Sequence, residues 1–334
     1  MRGMLHLAHL DRSIAELLAD QLEQVGVVFE RQLASDLSAV NGLCLHVERY
    51  RGKMLRPTLV LLSGLAVSEE PHDEETLNER HRVVAAVAEM IHMATLVHDD
   101  VLDEADVRRQ GATVNHLWGN ETAVMLGDYL ISNAFHLCSS LGDPAVNLAL
   151  GQVTNTLCEG ELVQLHHRND YSIDEATYFE IVRRKTASLI GECCRQGALL
   201  SGAKPEHAES LYRYGIALGI AFQIQDDLLD LIGDEDIVGK SLGRDLEKGK
   251  LTLPVTHLVS QANPEDRGES LRVLKQRDAA ALRDRLRDHG SVAYAQETAR
   301  RFVREAKSEL ERWPSGRAVR MLQRMADSVI DRSY

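Results

Sequence analysis

The chain is poor in aromatic residues, which make up only 4% of its 334 residues, and it contains only 7 prolines. Strands favour aromatic and β-branched side chains, whereas abundant alanine and leucine favour helices. The chain also lacks any run of about 18 apolar residues that could cross a membrane as a helix. The best candidate, residues 83–97, is interrupted by Glu89 and His92. These shortages predict a helical protein without a transmembrane segment.

Positive charge is scarce as well, because 38 lysines and arginines stand against 51 aspartates and glutamates, for a net charge of −13. We expect no nucleic acid partner, since phosphate backbones attract basic surfaces. The 5 cysteines are odd in number and scattered, which argues against a disulfide framework and favours a reducing compartment. No apolar secretory signal is visible near the N-terminus. We expect a cytoplasmic protein that contacts membranes at most peripherally.

Apolar residues recur at helical spacing along most of the chain. Residues 11–40, for example, are predicted to form one amphipathic helix. With 44% hydrophobic residues, a chain of this length can bury a large core. No linker divides it, so we expect a single all-α domain over residues 1–334.

Two acidic motifs are the main chemical feature of the sequence. Each reads Asp-Asp-x-x-Asp after an apolar run, and together they comprise Asp99, Asp100, Asp103, Asp226, Asp227 and Asp230. On a helix, positions i and i+4 share a face, so the first and last aspartates of each motif are neighbours. Carboxylates this close repel each other and require cations. Such ligands suit Mg²⁺ that also binds substrate phosphate; the plainer alternative is a pair of solvated helix ends.

Basic residues accompany the first motif. Arg108 and Arg109 follow it directly, and an arginine pair is suited to phosphate oxygens. Lys53 and Arg56 precede a predicted helix whose first turn contains Pro57. Unsatisfied backbone N–H groups and the helix dipole favour anions at such a position. The sequence therefore places an arginine pair directly after the first motif and two further cations at a helix N-terminus.

Helical spacing brings further residues to the two motifs. His92 shares the face of the first motif, and Gln223 points with the carboxylates of the second. Gly215 and Gly219 lie inside the second helix, where each costs roughly 1 kcal/mol against alanine. We expect a neighbouring helix or a substrate to approach closely at both glycines.

Taken together, these motifs resemble those of the trans-isoprenyl diphosphate synthases, also called polyprenyl synthetases, over residues 50–255. The resemblance implies a large bundle of mostly antiparallel helices around a central cavity, with the two aspartate motifs facing each other. It implies head-to-tail prenyl transfer, in which isopentenyl diphosphate is added to an allylic diphosphate, with three Mg²⁺ ions in the loaded site. It also implies a homodimer.

The resemblance assigns roles to individual residues. Isopentenyl diphosphate would be bound by Lys53, Arg56, His92 and Arg109, and the allylic diphosphate by Arg108, Lys185, Thr186, Gln223, Lys240 and Lys250. The implied catalytic residues are Asp99, Asp103, Asp226, Lys185 and Gln223. Lys248 is the alternative to Lys250, and the helix is expected to kink at Lys185 and Thr186. The family usually shows Gly-Gly-Lys-x-x-Arg-Pro before the first apolar helix, and here Arg51 replaces the first glycine.

The length of the product can be predicted from the residues beside the first motif. One helical turn rises about 5.4 Å, comparable to one isoprene unit, so the residue that closes the apolar groove would set the length. Short-chain members of the family often carry an aromatic residue four or five positions before the first aspartate, where this chain has Thr95 and Ala94. Ala88, further back, is small too. We predict a hexaprenyl to decaprenyl product of the kind used for quinone tails, with Phe135 or Ile91 as the floor.

Three alternatives compete with this interpretation. The first is a short-chain synthase that makes farnesyl or geranylgeranyl diphosphate. The second is a class I terpene cyclase, which shares the first motif but usually has Asn/Asp-x-x-Ser/Thr-x-x-x-Glu as its second and is rich in aromatics. The third is a regulatory subunit of a two-component synthase, which typically lacks the aspartate motifs. An assay with and without Mg²⁺ and isopentenyl diphosphate separates them.

Overall fold

The computed structural model describes residues 12–331, except residues 69, 71, 74, 234–242 and 312. In this part of the chain the regular structure is helical, apart from one antiparallel pair formed by β1, Val107–Arg108, and β2, Gly111–Ala112. The prediction of an all-α fold is confirmed. None of the described helices combines the length and the apolar character needed to cross a bilayer.

Two compact units can be distinguished in the chain. The first unit comprises the residues up to Thr154, Glu192–Tyr212 and Trp313–Leu322, and the second comprises Asn155–Gly191, Arg213–Arg312 and the residues from Gln323 onwards. The helices are, in order, α1 (Arg12–Leu33), α2 (Ser38–Val47), α3 (Leu55–Val67), α4 (Glu79–Leu102), α5 (Val114–Ser139), α6 (Pro144–His166), α7 (Glu175–Val182), α8 (Ser188–Leu200), α9 (Pro205–Ile232), α10 (Arg244–Glu247), α11 (Leu253–Gln261), α12 (Pro264–Gln276), α13 (Ala279–Asp288), α14 (Ser291–Leu310) and α15 (Arg317–Ile330).

Helix α4 organises the first unit, because α1, α3 and α5 all pack against it. Its start is fixed by a reciprocal capping box between Asn78 and His81. The Asn78 side chain accepts a hydrogen bond from the backbone N–H of Arg80 at 3.0 Å. Residues 83–91 are all buried. The helix is therefore held along most of its length, and it carries the first aspartate motif at its C-terminal end.

The second unit is built around α9. One apolar cluster joins α7, α9, α11 and α14 through Tyr178, Val182, Ala187, Ile220, Ile224, Leu228, Leu253, Ala295 and Ala299. A Cβ added to Gly215 would lie 2.6 Å from Cα of Gly191, and one added to Gly219 would lie 2.6 Å from Cα of Ala187. The predicted close approach of a neighbouring helix at these glycines is confirmed, and it fixes the helix that bears the second motif.

The predicted helix over residues 11–40 is wrong beyond Leu33. Helix α1 ends there, and α2 begins at Ser38. Between them, the Asn41 side chain accepts from the backbone N–H of Ser35 at 3.0 Å and donates to its carbonyl oxygen at 2.7 Å. Hydrogen bonds from short polar side chains to the backbone compete with a helical ladder, and here they produce a turn.

Candidate active site

The first aspartate motif lies at the C-terminal end of α4. Asp99 and Asp103 are half-buried and one helical turn apart, and the backbone N–H of Asp103 donates to the carbonyl oxygen of Asp99 at 2.8 Å. Asp100, by contrast, is only 1% exposed. The helix therefore divides the motif into two accessible carboxylates and one that points into the protein.

The buried carboxylate of Asp100 holds Arg108, which comes from β1. Arg108 Nε donates to Asp100 Oδ1 at 2.8 Å, and its guanidinium lies 5.9 Å from the centroid of the Tyr50 ring. Burial raises the pKa of Asp100, and the charge of Arg108 opposes this shift. Burial and then the charge of Asp100 raise the pKa of Tyr50. The guanidinium of Arg108 is thus fixed beside the first motif.

The loop before α3 is held from two sides. The Arg51 guanidinium lies 4.1 Å from the centroid of the Phe29 ring and 3.2 Å from Glu30 Oε1, so it is fastened to α1. Arg109 Nη1 donates to the carbonyl oxygen of Arg51 at 3.4 Å. Met54 ends the loop in the left-handed conformation, with φ of 52°. Arg109 and the loop that carries the predicted basic residues therefore belong to one local arrangement.

A cluster of buried charge lies at the start of α3. Burial lowers the pKa of Arg56, and the nearby charge of Glu89 opposes this shift. Burial raises the pKa of Glu89, which is only 2% exposed, and Arg56 opposes it in turn. Burial and then the positive charge of Arg56 hold the pKa of His92 well below its usual range, so the imidazole is neutral. Lys53 is exposed at the surface.

Glu89 was not predicted as a site residue, although the sequence contains its signal. It is an acidic residue inside the most apolar helical stretch of the chain. A buried carboxylate there requires a positively charged partner, and Arg56 supplies the positive charge. Glu89 therefore belongs with Arg56 and His92 in the first unit.

The second aspartate motif lies on α9. Asp226 is half-buried, whereas Asp227 is 5% exposed. Both oxygens of Asp227 accept hydrogen bonds, Oδ2 from the Tyr178 hydroxyl at 2.7 Å and Oδ1 from Gln223 Nε2 at 2.8 Å. Burial raises the pKa of Asp227 well above its usual range. The structure confirms that Gln223 lies with the motif, and it adds Tyr178, which the sequence did not indicate.

Asp230, the last aspartate of the second motif, contacts the short helix α10. The backbone N–H of Asp245 donates to Asp230 Oδ2 at 3.1 Å, and that of Gly243 donates to the Asp230 carbonyl oxygen at 2.8 Å. Asp230 is 4% exposed. The motif and the segment that begins at Gly243 are therefore joined by the backbone as well as by a side chain.

The turn after α10 carries two of the predicted lysines. Lys248 and Lys250 are both half-buried, so burial does not choose between them. The backbone N–H of Asn169 donates to the carbonyl oxygen of Gly249 at 2.9 Å and holds the turn in place. Lys240, the third predicted lysine of this region, lies outside the described residues.

A turn of π-helix over Arg183–Ala187 joins α7 to α8, at the point where a kink was expected. Such turns widen a helix and are frequent at functional sites. Thr186 Oγ1 donates to Gln223 Oε1 at 3.0 Å. Lys185 forms an ion pair with Glu161 of α6. The predicted residues of this unit, Thr186, Gln223 and Asp227, are therefore brought together by direct hydrogen bonds.

The carboxylates present fit a hard divalent cation. Asp99, Asp103 and Asp226 offer oxygen ligands that are neither fully buried nor fully exposed. Among the described residues, no group of three carboxylate, imidazole or thiolate side chains forms a ready-made metal site. Mg²⁺ characteristically takes one or two protein carboxylates and completes its shell with water and substrate phosphate. Each motif, considered by itself, therefore offers carboxylate oxygens suited to a metal that binds together with a phosphorylated ligand.

Four of the residues predicted to set product length lie on α4, and the fifth lies on α5. Ala88, Ile91 and Ala94 are fully buried, whereas Thr95 is half-buried and its hydroxyl donates to the carbonyl oxygen of His92 at 2.7 Å. Phe135 of α5 is half-buried. Their role in product length stays a prediction.

Known proteins are similar to this chain in sequence and in fold. Residues 38–286 match the profile of a family described as Polyprenyl synthetase. Octaprenyl diphosphate synthase of Escherichia coli (strain K12) is 38% identical over 252 residues, which are 75% of this chain and 76% of that protein. The crystal structure of a decaprenyl diphosphate synthase from Rhodobacter capsulatus aligns with a TM-score of 0.88 and 32% identity, over 96% of this chain and 99% of that one.

A second crystal structure, of polyprenyl synthase from Caulobacter crescentus CB15, was determined in complex with calcium and isoprenyl diphosphate. It aligns with a TM-score of 0.88 and 28% identity, over 96% of this chain and 97% of that one. The family profile covers more than half of the chain, and the relatives align over most of their own lengths. The chain therefore belongs to the polyprenyl synthetase family and is a prenyltransferase.

Proposed function

We propose that the protein condenses isopentenyl diphosphate head-to-tail onto an allylic diphosphate, such as farnesyl or geranylgeranyl diphosphate, in a Mg²⁺-dependent reaction. The product would be a long-chain all-trans polyprenyl diphosphate for quinone side chains. The observation that carries the proposal is that each aspartate motif is bonded to a predicted diphosphate-binding partner. Arg108 is held by Asp100 in the first unit, and Gln223 is held by Asp227 in the second.

The proposed metal ligands are Asp99, Asp103 and Asp226, because these carboxylates are half-buried. Asp100, Asp227 and Asp230 are further candidates, although each already accepts a hydrogen bond from the protein. Bound Mg²⁺ supplies Lewis-acid stabilisation of the negative charge on the departing diphosphate. The calcium in the Caulobacter crescentus enzyme supports the use of divalent ions in the family. We also propose that three Mg²⁺ ions occupy the site when substrate is bound.

Isopentenyl diphosphate would be held in the first unit. Lys53, Arg56 and Arg109 contribute positive charge, and the neutral ring of His92 contributes a hydrogen bond to a phosphate oxygen. Their partners within the protein restrict how they move, so the substrate is oriented as well as bound. Holding the double bond against the reacting carbon is an entropic gain that enzymes obtain through positioning.

The allylic diphosphate would be held by the remaining predicted residues. These are Arg108, Lys185, Thr186, Gln223, Lys240 and Lys250, with Lys248 as the alternative to the last. Cations and oriented dipoles stabilise the charge that develops as the carbon–oxygen bond breaks. The released diphosphate is the proposed base for the final proton.

The small side chains before the first motif support a long product. Thr95 and Ala94 leave room for a growing apolar chain, and each buried methylene contributes about 0.8 kcal/mol. Ala88 and Ile91 are fully buried, so a growing chain would have to displace the side chains that cover them, and Ile91 or Phe135 is the proposed floor. The names of the octaprenyl and decaprenyl relatives support this class of product. A short-chain synthase is the second candidate for the same site.

We also propose that the protein is a single-domain homodimer in the cytoplasm. Its substrates would be small molecules, and it would contact membranes only peripherally, for product release. All five cysteines, Cys44, Cys138, Cys158, Cys193 and Cys194, are free thiols, as expected in a reducing compartment. The net charge of −13 supports the absence of a nucleic acid partner.

The proposal is tested by incubating purified protein with isopentenyl diphosphate and farnesyl diphosphate, with and without Mg²⁺, and separating the products by length. We expect Mg²⁺-dependent products of about six to ten isoprene units. A dominant farnesyl or geranylgeranyl product would favour the short-chain candidate. A cyclic hydrocarbon formed without isopentenyl diphosphate would favour a terpene cyclase, and no product from the isolated chain would favour a regulatory subunit.

The substitution Asp99→Ala tests the metal role directly. Turnover should fall by roughly a hundredfold or more, since several kcal/mol of charge stabilisation would be lost. The fold should persist, because the removed carboxylate is half-buried at a helix end. Asp106→Ala is the matched control, since its side chain is 75% exposed and lies outside the motif. Near-normal turnover of the Asp99→Ala protein would count against the mechanism.

A further inference from the structure

Four polar side chains of the second unit form one continuous chain of hydrogen bonds. The Tyr178 hydroxyl donates to Asp227 Oδ2 at 2.7 Å. Gln223 Nε2 donates to the other carboxylate oxygen at 2.8 Å. Thr186 Oγ1 donates to Gln223 Oε1 at 3.0 Å. The chain thus runs from a tyrosine of α7, through two residues of α9, to the π-helical turn.

The direction of these bonds fixes how the Gln223 amide is turned. A carboxylate accepts hydrogen bonds and does not donate them, so the end of the amide that faces Asp227 is its NH₂ group. Its oxygen is thereby directed to Thr186. If the amide were reversed, its oxygen would face the Asp227 carboxylate, and two acceptors would oppose each other without a proton between them. The orientation of the predicted substrate-binding pair therefore depends on the Asp227 carboxylate.

Tyr178 is the group that holds this carboxylate from the other side. The tyrosine is 4% exposed and packs in the apolar cluster with Val182, Ile224 and Leu228. Its ring meets that of Phe179 edge-on, with the centroids 5.4 Å apart. Packing thus fixes the ring of Tyr178, and its hydroxyl is a polar group at the edge of the apolar cluster. Asp245 adds negative charge nearby, which makes a donor to Asp227 more valuable.

We propose that Tyr178 is a positioning residue for prenyl transfer, acting through Asp227 to orient Gln223 and Thr186 toward the allylic diphosphate. The inference rests on the proposed function. It assigns a role to a residue whose hydroxyl donates to Asp227, which in turn accepts a hydrogen bond from Gln223. Asp227, in this assignment, serves the reaction through its hydrogen bonds.

The test is Tyr178→Phe, which keeps the ring and removes the hydroxyl. Its matched control is Tyr294→Phe in the same unit, where the hydroxyl likewise donates to a carboxylate, Glu175, at 2.7 and 2.8 Å. Melting temperatures of both variants are measured first, and all assays are run well below the lower of them. Initial rates are then measured with each substrate varied in turn.

We expect Tyr178→Phe to lower kcat/KM for the allylic diphosphate about tenfold, the usual value of a hydrogen bond to a charged group. The KM for isopentenyl diphosphate should change less than about twofold, because its proposed ligands belong to the first unit. Tyr294→Phe should leave both constants unchanged. If Tyr178→Phe lowers the melting temperature like the control but leaves kcat/KM unchanged, the tyrosine is merely structural and the inference is overturned.

A double-mutant cycle that combines Tyr178→Phe with Thr186→Val is a second, independent test. If Tyr178 acts through the chain of bonds, its substitution should have little further effect once Thr186 has lost its hydroxyl. Additive losses would overturn the inference. An inactive parent protein would instead reject the proposed function, whereas an active parent with a fully active Tyr178→Phe variant would reject this inference alone.

Discussion

Arg51, considered as a single residue, connects the loop before α3 to helix α1. Its guanidinium contacts Phe29 and Glu30, and its carbonyl oxygen accepts a hydrogen bond from Arg109. Polyprenyl synthetases usually have a glycine at this position. A glycine could make only the hydrogen bond from Arg109 to its carbonyl oxygen. The chain has therefore gained an attachment between the first helix and the proposed isopentenyl diphosphate site.

The substitution Arg51→Gly removes this attachment. We expect the KM for isopentenyl diphosphate to rise about three- to tenfold, because an unattached loop must be ordered when the substrate binds. The KM for the allylic diphosphate should not change. The free energy of unfolding should fall by about 1 kcal/mol, the value of a cation–π contact.

Arg49→Gly is the control for this prediction, because Arg49 is exposed in the short turn just before the loop. It should leave both KM values unchanged. Steady-state kinetics with each substrate varied, together with chemical denaturation, provide the measurements. An Arg51→Gly protein with an unaltered KM for isopentenyl diphosphate would show that the loop is ordered without this side chain.

Sequence and structure agree best at residues whose partners are close along the chain. The aspartates of each motif and Gln223 could be predicted, because helical spacing alone brings them to one face. Tyr178 could not, since Asp227 lies 49 positions away and no periodic pattern relates the two. Tyr50 and its neighbour Asp100 are similarly distant. The supporting hydrogen bonds of the site thus depend on tertiary packing, which a single sequence does not encode in any local pattern.

At the scale of whole elements, the π-helical turn depends on how closely α6 approaches it. A Cβ added to Gly160 of α6 would lie 2.7 Å from the backbone nitrogen of Lys185 and 2.8 Å from Arg184 Cβ. Backbone atoms cannot move aside as a side chain can. The glycine therefore permits the contact that places Lys185 beside Glu161.

Gly160→Ala should for this reason lower the free energy of unfolding by about 1–3 kcal/mol, the usual cost of overpacking. It should also lower kcat/KM for the allylic diphosphate, since Lys185 must shift. Gly151→Ala in the same helix is the control, because its Cβ would meet only Phe135, at 3.9 Å. That variant should be as stable as the parent or more so, by up to about 1 kcal/mol of helix propensity. Equal stabilities of the two variants would contradict the prediction.

The helices that carry the motifs were predicted well, because long amphipathic stretches bury one face whatever the details of packing. The first motif follows an apolar run on α4, and the second lies on α9. The break between α1 and α2 was missed because the apolar pattern continues across it. The turn is revealed by the hydrogen bonds between Ser35 and Asn41. Such bonds compete with helix formation, and the spacing of apolar residues carries no information about them.

At the scale of the whole molecule, helix α5 presents exposed apolar side chains to the outside of the first unit. They are Leu117, Trp118, Val124 and Met125. Contiguous apolar exposure is typical of a surface that another protein covers, and we expect these side chains to contribute to one. The proposed homodimer supplies a second copy of the chain for that surface.

Val124→Lys should therefore convert the dimer into monomers. A charge buried in an apolar interface without a partner is strongly unfavourable. Leu199→Lys on α8 is a matched control, because Leu199 and Val124 are each 41% exposed. This control variant should leave the dimer intact. Light scattering after size-exclusion chromatography measures the mass of each variant. A parent protein of monomeric mass would reject the homodimer itself.

The ion pair between Lys185 and Glu161 has a consequence for which ligands the protein accepts. The ammonium group already has a carboxylate beside it, in a chain whose net charge is −13. Binding of the allylic diphosphate at Lys185, as proposed, would consequently be an exchange, in which only the difference between the old and the new ion pair contributes to affinity. A singly charged monoester gains almost nothing from this exchange, whereas a group with several negative charges gains much more. A ligand would thus be selected by its number of negative charges as well as by the shape and length of its hydrocarbon tail.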